Sequence, residues 1–246
     1  MKLIRAGILM VGIAVWSLTP AVFAETDEVF LRGLEAYRAG QFVEAAKSFG
    51  AAGERQPASG TLVNLGLTEW RRGRAGPAIL AWEQARWIDP FDVRARANLA
   101  YARQLTGVEP PDYSWYERAS TWLPANAWAW IAGGSLWLAI GLTVLPGMFR
   151  WRKSAGTPAL AALGLALFFA SLPAHYGVIS RSRIGFVLQR NAALRLTPTG
   201  EAEAVAKLAA GEAAREMRKH GDYVLIRTTQ GQGWVERHQF GRVSPN

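Results

Sequence analysis

Histidine is the side chain best suited to proton transfer and metal binding near neutral pH, and this chain carries three: His175, His220 and His238. There is no cysteine, which excludes thiolate chemistry, a disulfide framework and thiol-linked lipid attachment. None of the histidines stands in an HExxH motif or at metal-ligand spacing from other candidate ligands. The sequence also lacks a GxSxG elbow and a phosphate-cradling glycine loop. His175 lies in an apolar run without a charged companion. A proton relay needs a chain of polar groups, so an interfacial or hydrogen-bonded histidine is the better reading. His220 and His238 read as loop residues. The expectation is a non-enzyme with no catalytic residues, no cofactor and no metal.

Those residues belong to a chain of 246 with a formal net charge of +9 and 50% hydrophobic residues. Its mean hydropathy near zero averages over strongly segregated stretches. No acidic or basic residue occurs between Arg118 and Arg150, nor between Lys153 and Arg181. Each gap exceeds the ~20 apolar residues that cross a bilayer core of ~30 Å at helical rise. Helices in soluble cores rarely run so far without a charge on one face. We therefore expect transmembrane helices at 125–149 and 157–179, joined by a short loop at 150–156. Gly133, Gly134, Gly141 and Gly164 would let the spans approach closely. The remaining basic residues are scattered and flank apolar segments, as topology signals and lipid-headgroup contacts do. They form no nucleic-acid-binding patch.

Residues 1–24 read as a secretory signal peptide. Lys2 and Arg5 precede an apolar stretch from Ile8 to Leu18, then Pro20 and a small-residue end at Ala24; cleavage after Ala24 is expected, the alternative being an uncleaved N-terminal anchor. Arg150, Arg152 and Lys153 mark the loop between the spans as cytoplasmic, against the opposing pair Arg181 and Arg183. The expected location is the inner (cytoplasmic) membrane, with the soluble segments on the periplasmic side.

Residues 25–108 contain an internal repeat. Gly33 aligns with Gly66, Tyr37 with Trp70, Gly40 with Gly73, Ala45 with Ala78, Phe49 with Trp82 and Ala52 with Ala85. Pro57 and Pro90 close the two units, 33 residues apart like the first pair. This pattern resembles the tetratricopeptide repeat. Small residues let two antiparallel helices approach, Phe49 and Trp82 fill the gap, and the prolines stop the second helix. Pro77 departs from the pattern but suits a first helical turn. The resemblance implies a groove that holds an extended partner segment. Its matching positions here are Phe30, Leu34, Tyr37 and Arg38, then Val63, Leu67, Trp70 and Arg71, then Arg94, Ala97 and Tyr101. Aromatic and arginine side chains would suit an acidic or carboxylate end. Packing of repeat on repeat is the competing role for each residue.

Residues 109–124 form a stiff Pro-Pro linker followed by Tyr113, Trp115, Tyr116 and Trp122, read as a short interfacial helix with an aromatic belt. From 184 to 246 the period switches to two. Short strands are expected at 185–188, 193–196, 223–227 and 232–235, the last after the Thr229-Gln230-Gly231 turn. The segments ALRLTP, KLAAGE, GDYVLIRT and GWV, in this order, resemble a bacterial SH3-type domain with Trp234 in its core. The fold class is thus a multidomain membrane protein: all-α tetratricopeptide repeats, a two-helix transmembrane hairpin and a small all-β SH3-like barrel. This domain order resembles the BatE-type proteins of Bat aerotolerance operons. That resemblance implies a scaffold for membrane-anchored von Willebrand A-domain proteins, and indirectly for a MoxR-type ATPase, in envelope or oxidative-stress tolerance. The alternative is a peptidoglycan-binding envelope protein acting through the SH3-type domain.

Overall fold

The repeat offset becomes a pair of helical hairpins. α1 (Thr19–Arg38) packs on α2 (Phe42–Arg55), α3 (Ser59–Arg71) packs on α4 (Ala75–Ile88), and α5 (Val93–Thr106) closes the stack. The computed structural model describes residues 19–148 and 156–244, with side chains from 28 onward. Most of the expected signal peptide 1–24 and of the loop 150–156 lies outside the described residues. α1 begins at Thr19 and runs helically past Ala24 into the array.

Each hairpin turns on a glycine with left-handed backbone, Gly40 at φ 73° and Gly73 at φ 74°, where a side chain would be strained. Within each hairpin a large ring fills the space above a glycine. A Cβ at Gly33 would stand 2.9 Å from the Phe49 ring, and one at Gly66 would strike the Trp82 indole. Phe49 and Trp82 are both 1% exposed, and the Trp82 Nε1–H donates to the Val63 carbonyl at 3.2 Å. Asp92 caps α5 by accepting from the Arg94 and Ala95 backbone N–H groups. It also accepts from the Ser59 hydroxyl at 2.6 Å, tying the start of α3 to the start of α5.

An extended linker leads to α6 (Trp115–Ser120), then α7 (Ala125–Met148) and α8 (Gly156–Arg181). α7 and α8 pair as a hairpin, each with a stretch long and apolar enough to cross a membrane. Only 6% and 22% of their most apolar windows is buried within the chain, which distinguishes them from the core helices of a soluble fold. Of the four glycines expected between them, Gly164 alone meets the partner helix, 3.0 Å from the Ser135 carbonyl measured from a would-be Cβ. Gly133 and Gly134 face open space, and Gly141 has only Leu145 of its own helix nearby. Gly177 is where α8 receives α6, against the Tyr116 carbonyl.

The C-terminal segment is a seven-stranded antiparallel sheet in the order β3-β2-β6-β5-β4-β1-β7. Its strands are β1 (Ile184–Val187), β2 (Ala192–Arg195), β3 (Ala204–Leu208), β4 (Ala213–His220), β5 (Tyr223–Thr228), β6 (Gly231–Glu236) and β7 (Phe240–Arg242). β1, β2, β5 and β6 fall where strands were expected. The core of the sheet holds Leu194, Leu208, Val224, Ile226 and Val235. Trp234 is not in that core. Alternation along β6 buries Gly233 and Val235 and turns Trp234 to the other face, half buried beside the His220 ring at 6.2 Å.

The sheet and the helical array are not separate bodies hung on a hairpin. Ile184, Phe186 and Val243 share one hydrophobic cluster with Ile79, Trp82, Ala85 and Leu99. α4 lies directly on the sheet: Gly76 against the Val187 and Leu188 carbonyls, Ile79 on Gly211, and Leu80 on Gly241. Gln84 Nε2 donates to the Arg242 carbonyl at 3.0 Å. A helix apolar on several faces needs partners on several sides, and AGPAILAWEQARWI is such a helix.

Candidate interaction surfaces and the junction between them

Helix α1 carries Phe30, Tyr37 and Arg38, α3 carries Val63, Trp70 and Arg71, and α5 carries Arg94 and Tyr101. Phe30, Tyr37 and Trp70 are half buried in ring contacts. Phe30 packs on Phe49 at 5.5 Å, Tyr37 on Phe42 at 5.4 Å, and Trp70 between Trp82 at 5.9 Å and Tyr101 at 6.0 Å. Leu34 and Leu67 pack against the array's own clusters. Val63 is 1% exposed among Ile79, Trp82 and Leu99, so it is core and lines no open groove. Arg38, Arg71, Arg94 and Tyr101 are exposed. Arg94 is drawn to Asp92 at 3.3 Å, whereas Arg38 and Arg71 have no ionic partner among the described residues. Burial works to raise the Asp92 carboxyl, but the Ser59 hydroxyl, the Ala95 N–H and the Arg94 side chain outweigh it and hold the group below its ordinary value.

A buried polar arrangement lies elsewhere, where linker, α6, α8 and sheet meet. Glu117 of α6 is fully buried. Its carboxylate accepts from the Ser180 hydroxyl at 2.6 Å and the Ser114 backbone N–H at 2.9 Å, and pairs with the Arg215 guanidinium of β4 at 2.8 Å. Arg215 also donates to the Ser180 carbonyl at 3.1 Å and hydroxyl at 3.0 Å. Burial pushes the Glu117 carboxyl upward, but these hydrogen bonds and the Arg215 charge more than offset it and hold the group below the usual carboxylate range.

Beside this pair, Arg181 at the end of α8 is almost entirely buried. It donates to the Ser120 hydroxyl at 3.0 Å and lies 5.0 Å from the Trp87 ring centre and 5.6 Å from that of Tyr113. Burial and the Glu83 carboxylate push the Tyr113 phenol up to about 12, against the opposing effect of Arg181, Arg86 and Arg103. Glu83 in turn bonds Arg103 and lies 3.7 Å from Arg86.

None of Glu117, Ser180, Arg181 and Arg215 was singled out from the sequence as part of a site. One signal was present. Glu117 is the last acidic residue before Glu201, and the chain returns from the apolar hairpin directly into Arg181 and Arg183. An antiparallel hairpin brings its two ends to one level, which sets Glu117 beside Ser180 at the end of α8; its cation, Arg215, comes from the sheet and had no such signal.

The linker also stands off from the sheet and leaves two adjoining clefts. One, of about 340 Å³, is lined by Asp112, Ser114, Arg215, Arg227, Thr228 and Thr229 among others. The next, of about 370 Å³, continues along Glu109, Pro110 and Glu212 and shares Pro111, Asp112, Ala213 and Thr229 with the first.

Among the described residues no group of three or more His, Asp or Glu side chains could hold a metal ion. His220 and His238 are exposed, the latter with Nδ1 at 3.3 Å from Glu236, and the half-buried His175 has no hydrogen-bond partner for Nδ1 among the described residues. Comparison with known protein families, with curated proteins and with solved structures found no match.

Proposed function

We propose that this protein is a non-catalytic, membrane-anchored scaffold. The observation that carries the reading is the pair Arg38 and Arg71. They lie one repeat apart at the ends of equivalent helices, exposed and without ionic partners among the described residues. With Arg94 and Tyr101 they offer guanidinium groups and a ring to an acidic or carboxylate-bearing partner segment. In this reading α1–α5 is a short tetratricopeptide array, the sheet is an SH3-type module bracing it, and α7 and α8 anchor both on the extracytoplasmic side of the inner membrane. The partners implied by the BatE-type domain order are membrane-anchored A-domain proteins and, through them, a MoxR-type ATPase.

The test is brief crosslinking in membranes, gentle solubilisation and affinity purification of the tagged protein, read by mass spectrometry. A cation in the last helical turn also complements the helix dipole, so capture rather than stability is the readout. Recovery of A-domain membrane proteins, reduced in the Arg38→Ala/Arg71→Ala variant, supports the scaffold. Undiminished recovery in the variant removes this helix face from it. Recovery of muropeptides without protein partners overturns it in favour of wall binding.

A further inference from the structure

Arg215 and Arg227 stand directly opposite each other on β4 and β5. Like charges in that relation destabilise a sheet unless something neutralises them. Glu117 neutralises Arg215, whereas the Arg227 side chain has no ion pair or hydrogen bond among the described residues. Both arginines line the same cleft of about 340 Å³, in the company of the Ser114, Thr228 and Thr229 hydroxyl-bearing residues. The cleft therefore has an uncompensated guanidinium and several hydroxyl groups at one end. At the other end it runs on past Asp112 to Glu109 and Glu212, between the extended linker and the sheet.

That charge polarity selects the ligand. A guanidinium fork matches a carboxylate. The acidic far end disfavours a dianion and favours a body that is neutral or carries a positive side chain. Two adjoining clefts that share Pro111, Asp112, Ala213 and Thr229, walled by the extended linker and by strand backbone, suit an extended chain. We infer that the cleft between the 107–114 linker and strands β4 and β5 binds the C-terminal carboxylate of an extended peptide, with Arg227 as its ion partner. This site is distinct from the Arg38–Arg71 helix face and does not depend on it.

The test is isothermal titration of the full-length protein in detergent micelles with acetyl-Ala-Lys-Ala-Ala bearing a free carboxylate. The comparisons are its C-terminal amide and the Arg227→Gln protein. The expected result is saturable binding of the free acid that falls about tenfold or more with either change. Because the amide is compared on the unaltered protein, the test survives if Arg227→Gln does not fold. Equal binding of acid and amide, or no binding of the acid at millimolar concentration, overturns the assignment. So does inorganic phosphate that binds where the peptide does not.

Discussion

The Glu117 carboxylate lies 2.8 Å from the guanidinium of Arg215, joining a six-residue helix beside the apolar hairpin to an inner strand of the sheet. Ser180, bonded to both, brings in the end of α8. Arg181, one residue on, reaches back to Trp87 of α4. A short chain of contacts therefore links the hairpin, the sheet and the helical array, so the array has a set orientation to the hairpin.

Glu117→Gln preserves the side-chain shape and removes the charge that neutralises Arg215. Breaking a buried pair in this way costs about 3 kcal/mol, the low end of the usual range because Arg215 keeps part of its guanidinium in water. Denaturant unfolding of the solubilised protein measures it. Glu28→Gln, which removes the exposed pair with Arg32, serves as the reference and is expected to change stability by no more than about 0.5 kcal/mol. Equal effects at the two positions would refute the junction's importance.

The same group sets an acid limit. A carboxyl held below its unfolded value contributes stability that is fully present above the unfolded value of ~4.3 and is lost as pH falls through the lower folded value. The unaltered protein should therefore lose stability below pH ~4 more steeply than Glu117→Gln. Tyr113 sets the opposite limit. Its phenol is raised to about 12, so its contribution is intact below the unfolded value of ~10 and is lost as pH rises towards 12. Tyr113→Phe should flatten that alkaline limb. Unfolding midpoints against pH for the three proteins check both signs.

Helix pairing inside the array was legible because its determinants are local and repeated: Gly33 under Phe49, Gly66 under Trp82, and a turn glycine one repeat apart. The apolar hairpin was legible from length and the absence of charge alone. β4 was not, because AAREMRKH is rich in helix formers and becomes a strand only through pairing with β1 and β5 on either side. The junction escaped notice for a related reason. Glu117, Ser180 and Arg215 come from three elements, and no spacing in the sequence registers their meeting. Trp234 was misplaced by a single step of strand alternation, which decides between core and surface.

Sidedness can be read directly, because a chain without cysteine gives a clean background for single-cysteine labelling. A cysteine at Lys207→Cys, exposed on β3, should react in spheroplasts with a membrane-impermeant maleimide. One at Ser154→Cys should react only after permeabilisation, in keeping with the basic residues around it. The reverse pattern would place the sheet and array in the cytoplasm and remove the periplasmic scaffold.

Gly76→Ala distinguishes a shared core from tethered modules by the sign of its effect. In an isolated helix the replacement stabilises by about 1 kcal/mol, since glycine is the poorer helix former. Here a methyl group at position 76 would collide with the Val187 and Leu188 carbonyls, which are backbone and cannot swing aside as a side chain could. Val187 is held in turn by the bond its carbonyl accepts from the Gly211 N–H at 2.7 Å. Strand β1 must then move away from α4, loosening Ile184 and Phe186 from the cluster around Trp82, and overpacking of this kind costs about 1–3 kcal/mol. Net destabilisation, with faster hydrogen exchange at the Gly211 amide, is the expected outcome. A gain in stability with unchanged exchange would mean that array and sheet fold without leaning on each other.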